Sequence, residues 1–425
     1  MNRRLIAGLA GLVVLLALGG SATAAHGPAL APGAAKLSPG LGKLPAALPA
    51  HGQRNVCTSA VFGVAHCDAH VVTADGGAAP LATTSYQFGY TPQNLGGAYK
   101  WSDPTGSSWS WNGQTIAIVD AYDNPNAASD LAAYRSRFGL PPCTSGNGCF
   151  AKVNQRGGGA PPAPDAGWGQ EIDLDIEMVS AVCPNCKILL VEADSNSFAD
   201  LGVAVNEAVA LNATAVSNSY GGPEFFGETS YAGPYNHPGI AITASSGDGG
   251  YGVEAPAAYN TVVAVGGTSL STALNGRGWT ESAWNGAGSG CSSQISKRSW
   301  QTDTGCSRRT VADVSAVADP NTGVAVYDSY GSTGGANWYV FGGTSVASPI
   351  IASVYGLAKN ANTIDYAARL PYAPTASSSL FDVTSGSNGN CSRGKRNTST
   401  RYLCTAGPGY DGPTGLGTPN GTAGF

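Results

Sequence analysis

The chain contains 425 residues, 42% of them apolar, which is enough for one large α/β domain with a short segment in front of it. Only 12% of the residues are charged and the net charge is −5, so no basic patch indicates a nucleic-acid partner. Sixty glycines and 26 prolines indicate many turns between the elements of that domain.

Residues 1–24 have the pattern of a cleaved secretion signal. A positively charged start is followed by an apolar run over residues 5–18, and then by the small residues Ala22, Thr23 and Ala24. The run is short for a membrane span and no later stretch approaches the needed length. We therefore expect a secreted, extracellular protein that has no membrane attachment after signal cleavage.

Ten cysteines follow the signal, and they lie in close sequential pairs. An even number in a secreted chain favours disulfides, and pairing between nearest neighbours is the simplest arrangement. The pair in Cys183-Pro-Asn-Cys186 also fits a redox site or half of a zinc site, but a second pair at zinc spacing is missing. The expected pairs are Cys57/Cys67, Cys143/Cys149, Cys183/Cys186, Cys291/Cys306 and Cys391/Cys404.

Residues 25–85 are rich in Ala, Gly, Pro and Leu and have weak periodicity. This composition predicts a short propeptide-like segment or linker, with a small hairpin closed by Cys57 and Cys67. Residues 86–425 then form the main domain.

From Tyr90 onward, apolar strand patterns alternate with helical spacing. This alternation predicts an α/β fold in which a parallel sheet carries helices on both faces. The predicted helices are a capped turn at residues 90–99, 130–138 and 198–211, and the predicted strands are 115–120, 187–191, 213–217, 240–244 and 261–265.

Four acidic residues lie close together in residues 170–182. The first half alternates polar and apolar residues as a strand does, but the length and the apolar residues 172, 176 and 179 favour a helix. On a helix, Glu171 and Asp175 share one face while Asp173 and Glu177 form a separate pair. Taken alone, such pairs are also typical of solvated acids on a helix surface.

Ser345 follows the turn Gly342-Gly343-Thr344 and opens an apolar segment that predicts a buried helix. A helix N-terminus favours developing negative charge, so a serine nucleophile would be well placed there, although helix capping is the ordinary role of such a residue. A nucleophilic serine needs a base. Of five histidines, four precede the domain, and His237 lies in a turn-like loop, so a carboxylate is the better candidate.

Four short strings occur in this order along the chain: Glu171-Ile-Asp-Leu-Asp175-Ile-Glu, Ser245-Ser-Gly-Asp248-Gly-Gly, Val265-Gly-Gly-Thr268 and Gly343-Thr-Ser345. With these strings the chain resembles, from about residue 90 to 419, the sedolisin family, the serine-carboxyl peptidases with a subtilisin-like fold. The resemblance implies that Ser345 attacks the peptide carbonyl and that Glu171 is the general base and then the general acid. It also implies that Asp175 orients Glu171 and that Asp248 stands at the oxyanion hole.

The same resemblance implies two further sets of residues. One structural calcium ion would be held by carboxylates and carbonyls of a carboxy-terminal loop, which suits a hard cation, although an Asp- and Gly-rich turn without metal has the same composition. Substrate would lie along the segment that contains Ser219, Tyr220 and Gly221, beside Ser246 and Gly247. The calcium ligands would be Asp382, Val383, Gly407, Gly409 and Asp411.

These expectations together describe a secreted, monomeric endopeptidase that cleaves proteins or peptides at acid pH. Carboxylate catalysis predicts the acid pH, because Asp248 can donate a hydrogen bond only while protonated. A tripeptidyl-type exopeptidase and a catalytically silent binding scaffold are the alternatives. The chain departs from the family in its short leading segment, and Ser289-Gly-Cys291-Ser replaces a glycine-rich string. By analogy with the sedolisin family, Asp120 would be a structural or secondary residue of the site and not a catalytic one.

Overall fold

A computed structural model describes residues 43–58, 63–75, 77–103, 108–158, 160–331, 335–391 and 398–425. The predicted signal at residues 1–24 lies outside the described residues. Five α-helices occur in the described part: α1 (Pro92–Tyr99), α2 (Ala127–Arg137), α3 (Ala166–Val182), α4 (Phe198–Ala210) and α5 (Thr344–Ala358).

The strands of the described residues belong to one large sheet and several small ones. In chain order they are β1 (His51–Asn55), β2 (His66–Cys67), β3 (His70–Ala74), β4 (Thr115–Ala121), β5 (Phe150–Asn154), β6 (Lys187–Ala193), β7 (Ala215–Asn218), β8 (Tyr220–Pro223), β9 (Ala241–Ser245), β10 (Glu254–Ala255), β11 (Val263–Thr272), β12 (Trp279–Ala283), β13 (Gly290–Ser296), β14 (Arg308–Val311), β15 (Val314–Val317), β16 (Val324–Asp328), β17 (Asn337–Gly342), β18 (Leu380–Phe381) and β19 (Thr418–Pro419).

The central sheet has the strand order β12-β11-β9-β7-β4-β6-β5, and β15 also pairs with β11. Neighbouring strands are parallel except for β12, which runs antiparallel to β11. Near-continuous apolar strands such as β4 are buried, as expected when helices cover a parallel sheet. The prediction of an α/β fold with a mainly parallel sheet is confirmed.

Helices α3 and α5 position the acidic residues and Ser345. They pack against each other, and α5 also packs on β7, β9 and β15. Helix α3 begins after Asp165, whose carboxylate accepts hydrogen bonds from the backbone N–H groups of Gly167 and Trp168. Every residue from Trp168 to Val182 is buried, so the acids of this helix are internal and are not solvated surface residues.

The segment that precedes the predicted domain is part of a four-stranded antiparallel sheet with the order β1-β3-β17-β16. Val71 and Val72 of β3 are fully buried, and Val71 pairs with Phe341 of β17. The hairpin closed by Cys57 and Cys67 is confirmed. Its packing into the domain was not foreseen from the sequence, because the partner strand lies far away along the chain.

All five predicted disulfides are confirmed, and the Cys183–Cys186 pair is one of them. The cysteines of each pair are separated by 3 to 15 positions, so each bond closes a local loop. No helix in the described ranges is long and apolar enough to span a membrane.

Candidate active site

Ser345 is the second residue of α5, directly after a sharp turn at Gly343. The φ angle of Gly343 is 105°, and a Cβ atom at this position would lie 2.1 Å from the carbonyl oxygen of Asp68. Only glycine therefore fits here. Ser345 is fully buried, and its hydroxyl donates a hydrogen bond to the carbonyl oxygen of Ser219 at 3.2 Å.

Glu171 and Asp175 occupy one face of α3, as the spacing of four residues predicts. Both side chains are completely buried. Asp175 Oδ1 accepts a hydrogen bond from the Ser219 hydroxyl at 2.8 Å. Among the described residues, neither carboxyl oxygen of Glu171 has a partner in full hydrogen-bonding geometry. Ser219 thus contacts Asp175 through its hydroxyl and the Ser345 hydroxyl through its carbonyl.

The carboxyl groups of this site favour the protonated state. Burial raises the pKa of Glu171 well above its ordinary value, and the nearby carboxyls of Asp175 and Asp120 raise it further. The Ser345 hydroxyl acts in the opposite direction and lowers the Glu171 pKa. Burial also raises the pKa of Asp175 well above its ordinary value and that of Asp120 to about 8. Glu171, Asp175 and Asp120 therefore form one electrostatically linked group next to Ser345.

Asp248 lies at the N-terminus of α5. Its Oδ1 accepts hydrogen bonds from the backbone N–H of Thr344 at 2.7 Å and from the Thr344 hydroxyl at 2.9 Å. Its Oδ2 lies 3.2 Å from Nε2 of His70, and a Cβ atom on Gly343 would lie 2.6 Å from that oxygen. The carboxyl group is therefore held beside the turn that precedes Ser345.

Two of the five predicted substrate-binding residues, Ser219 and Gly247, contact the first two residues of α5. Gly221 pairs with His66, and the N–H of Gly247 donates to the Thr344 hydroxyl at 3.2 Å. The Tyr220 side chain points into the core, where its hydroxyl forms hydrogen bonds with Asn218 and Tyr235. Ser246 is fully buried. A role for this set in substrate binding stays a prediction.

Two histidines that precede the predicted domain also lie at this site. His66 Nε2 is 3.4 Å from Asp68 Oδ1, and the His70 ring packs edge-on against Trp284. Burial alone would lower the His70 pKa, but the adjacent Asp248 carboxyl raises it above its usual range. In the described part of the chain no histidine hydrogen-bonds the Ser345 hydroxyl.

His237 forms its hydrogen bond with a residue outside the site. Its Nε2 lies 2.9 Å from the side-chain oxygen of Asn206 on α4, and its ring is partly exposed. Burial lowers its pKa. The interpretation of His237 as a loop histidine agrees with these contacts.

Asp173 belongs to a second acidic cluster that the sequence did not reveal. One carboxyl oxygen from each of Asp130, Asp173 and Asp328 lies within 4.8 Å of the others, and all three residues are buried. Burial raises the Asp173 pKa well above its ordinary value. The fourth acid of α3, Glu177, accepts a hydrogen bond from the backbone N–H of Tyr327 at 3.0 Å. This second pair connects α3 with α2 and β16.

The carboxy-terminal loop brings the two predicted calcium-binding carboxylates into one turn. Asp382 Oδ2 accepts a hydrogen bond from the N–H of Gly409 at 2.9 Å, and Asp411 Oδ2 accepts one from the N–H of Gly407 at 3.0 Å. Burial raises the Asp411 pKa to about 7, and Asp382 contributes to that increase. Two carboxylates on glycine-rich backbone, with Val383 next to Asp382, are a donor set that fits a hard cation.

The amino-acid sequence of the chain is similar to those of known proteins. A family model described as the subtilase family matches residues 158–380. Kumamolisin of Bacillus sp. (strain MN-32) is 29% identical over 371 residues, covering 78% of this chain and 62% of kumamolisin. Sedolisin of Pseudomonas sp. (strain 101) is 31% identical over 355 residues, covering 71% and 58%.

The chain belongs to the sedolisin family. A solved structure of Pseudomonas sedolisin, a serine-carboxyl proteinase complexed with two molecules of pseudo-iodotyrostatin, aligns with a TM-score of 0.64 and 26% identity. That alignment covers 78% of this chain and 95% of the solved chain. The chain spans about three fifths of the length of the two curated relatives. Its fold is accordingly the subtilisin-like fold that the sequence predicts.

Proposed function

We propose that this sedolisin-family chain is a serine-carboxyl peptidase that hydrolyses peptide bonds of proteins or peptides. One observation carries the proposal: α3 and α5 bring the Glu171–Asp175 pair against Ser345, whose hydroxyl perturbs the Glu171 pKa. No described histidine occupies the position of the base. The family relatives, which include the serine-carboxyl proteinase sedolisin, support the same reaction.

In the proposed reaction Ser345 is the nucleophile and Glu171 the general base. The reactive form has Glu171 ionised, and the Ser345 hydroxyl, which lowers the Glu171 pKa against the effect of burial, favours that form. Glu171 then accepts the Ser345 proton as the hydroxyl oxygen attacks the peptide carbonyl, and donates that proton to the leaving amine. Asp175 acts through Glu171, since it is held by Ser219 and shares the buried face of α3. Water then hydrolyses the acyl-enzyme by the same steps in reverse order.

The oxyanion that forms during attack would be stabilised at the N-terminus of α5. The backbone N–H of Ser345 points out of the first turn of this helix, and the helix dipole favours negative charge there. Asp248 is held beside this position by Thr344 and can donate a hydrogen bond when protonated. This requirement for a protonated carboxyl favours activity at acid pH.

The finer features of the proposed enzyme have separate support. Endopeptidase action is supported by β2, which pairs with β8 beside the site while the chain continues on both sides of it. Secretion is supported by five disulfides and by the signal-like amino terminus. A calcium ion bound by Asp382, Val383, Gly407, Gly409 and Asp411 would stabilise the carboxy-terminal loop. The proposed enzyme acts as a monomer.

Casein hydrolysis measured from pH 3 to 8 tests this function. We expect activity that is higher in acid than at neutral pH and that falls roughly 10³-fold or more in Ser345→Ala, because the nucleophile is lost. Ser353→Ala is the matched control, since Ser353 is a buried serine of the same helix.

Two results would overturn the proposal. Wild-type protein that leaves casein intact at every pH would favour a silent binding scaffold. An optimum at neutral or alkaline pH that His237→Ala abolishes would indicate a histidine-dependent hydrolase instead.

A further inference from the structure

A small three-stranded sheet lies beside the candidate active site, with β8 in the middle and β2 and β10 on its two sides. His66 of β2 pairs with Gly221 of β8, and Glu254 of β10 pairs with Pro223 of β8. Because Gly221 and Pro223 are two positions apart on one strand, they and their partners face the same side of the sheet. The pairing register therefore places an imidazole and a carboxyl group on one face.

Asp68 continues the first of these strands beyond β2. Its N–H donates to the carbonyl oxygen of Ser219 at 3.3 Å, so the antiparallel pairing extends to this residue. Asp68 lies two positions after His66, and its side chain therefore belongs to the same face. The carbonyl oxygen of Asp68 accepts a hydrogen bond from the N–H of Ser345 at 2.9 Å. This face of the sheet is thus next to the start of α5.

The side chains of His66, Asp68 and Glu254 converge on one point. One ring nitrogen of His66 and one carboxylate oxygen from each of the two acids lie within 4.8 Å of one another. His66 Nε2 is 3.4 Å from Asp68 Oδ1. A tetrahedral cation that binds its ligands at about 2.1 Å separates them from one another by about 3.4 Å. Small side-chain movements would therefore bring all three groups into coordination.

Two glycines leave the space that the Glu254 side chain needs to reach this point. A Cβ atom on Gly221 would lie 2.5 Å from Glu254 Oε2, and one on Gly247 would lie 2.8 Å from Glu254 Cδ. A larger residue at either position would displace the carboxyl group. The middle strand and the neighbouring turn thus accommodate a carboxyl group that comes from the far side of the sheet.

The carboxyl oxygens at this point lack the hydrogen bonds that buried oxygens normally accept. Among the described residues, neither Asp68 Oδ1 nor Glu254 Oε2 has a hydrogen-bond partner, and both atoms are buried. The second oxygen of Asp68 accepts a hydrogen bond from the Ser245 hydroxyl at 2.5 Å, which fixes the orientation of the carboxyl group. Burial raises the Glu254 pKa well above its ordinary value, and the carboxyl groups of Asp68 and Asp248 raise it further. A cation bound here would offset the repulsion between these carboxylates.

The types of donor atom indicate which cation fits. Calcium and magnesium ions prefer oxygen ligands, whereas one imidazole with two carboxylates suits Zn²⁺ and related transition-metal ions. Three protein ligands leave the fourth position of a tetrahedral ion to water. The His66 side chain is 16% exposed, so an ion can reach this point from solvent.

We propose that His66, Asp68 and Glu254 form a binding site for one Zn²⁺ ion. The site differs from the proposed calcium loop, where oxygen atoms are the only donors. It also does not depend on the proposed peptidase function, because none of the three ligands reacts with the peptide. Bound zinc joins β2 to β10 across β8 and holds residues 66–68 against the strand beside Ser345.

Calorimetric titration of the full-length Ser345→Ala protein with Zn²⁺ at pH 7.5 tests this site, because imidazole ligands must be unprotonated to bind metal. Excess Ca²⁺ in the buffer occupies the carboxy-terminal loop. We expect one Zn²⁺ ion per chain, and a thermal unfolding temperature that increases by several degrees at saturating Zn²⁺. Introducing His66→Ala or Glu254→Gln into this protein should weaken Zn²⁺ binding at least about 100-fold, because losing even an outer partner of a metal ligand costs roughly 10- to 100-fold.

His51→Ala and Asp75→Asn in the same protein are the matched controls. His51 lies on β1 of the same leading segment and Asp75 is exposed, and both variants should bind Zn²⁺ like the Ser345→Ala parent. His66 is partly exposed and Glu254→Gln keeps the size of the side chain, so both test variants should unfold near the parent temperature without zinc. Zn²⁺ affinity that stays at the parent value in both test variants would overturn the inference. A parent protein that binds no Zn²⁺, or binding that His51→Ala abolishes, would also overturn it.

Discussion

At the scale of single residues, identical acids on one helix have different neighbours. Asp175 and Asp173 lie two positions apart on α3 and are both fully buried. Asp175 bonds Ser219 and is electrostatically linked to Glu171 and Asp120, whereas Asp173 joins Asp130 and Asp328. Because successive positions on a helix point in different directions, one acid serves the site and the other serves the packing of α2 and β16.

We expect Asp175→Asn to lower kcat on a peptide substrate about 10²-fold and to change the pH profile, because Glu171 loses the carboxyl group that positions it. KM should change little. Asp173→Asn is the matched control, and should leave kcat and its pH profile unchanged. Steady-state kinetics from pH 3 to 7 measures both variants, and equal losses of kcat would show that Asp175 has only a structural role.

At the scale of elements, helices and buried strands were predictable while the small sheets were not. Helices α3 and α5 could be predicted because the apolar spacing of each helix, and the glycine turn before α5, lie in consecutive residues. Strand β3 pairs with β17 some 270 positions later, and such pairing leaves no local pattern. His70 and Asp68 therefore escaped notice as site residues. The cluster around Asp173 was hidden for the same reason, since α2, α3 and β16 each contribute one acid.

The carboxy-terminal loop carries a prediction of its own. Added calcium should raise the thermal unfolding temperature of the metal-free protein by several degrees, because ion binding at about 100 times Kd contributes roughly 2.7 kcal/mol to the folded state. Asp382→Asn should abolish the increase, and Asp365→Asn, an exposed acid outside the loop, should retain it. Calorimetry of the inactive Ser345→Ala protein at pH 5.5 with and without a chelator measures it. An equal calcium response in Asp382→Asn would contradict this site.

At the scale of the whole molecule, the buried acids make the folded state bind more protons than the unfolded chain. Burial raises the pKa of Asp120 and Glu192 to about 8, of Glu228 to about 7 and of Asp68 to about 6. The acids of α3 shift in the same direction. Between about pH 4 and 8 the native state therefore holds protons that unfolded carboxylates have lost, and stability must fall as pH rises.

We accordingly expect the unfolding temperature of Ser345→Ala to be higher at pH 4.5 than at pH 8, by on the order of 5 °C or more. The sign follows from linkage, since raised carboxyl pKa values favour folding below those values and oppose it above them. Scanning calorimetry across this range measures the change. A midpoint that increases toward pH 8 would mean that the buried carboxyls are ionised in the folded protein.

The disulfide between Cys57 and Cys67 lies between β1 and β3. It shortens the loop that the unfolded chain must close before these two strands can pair, and its loss would cost the folded protein about 3 kcal/mol. A reducing environment would accordingly loosen this edge of the four-stranded sheet.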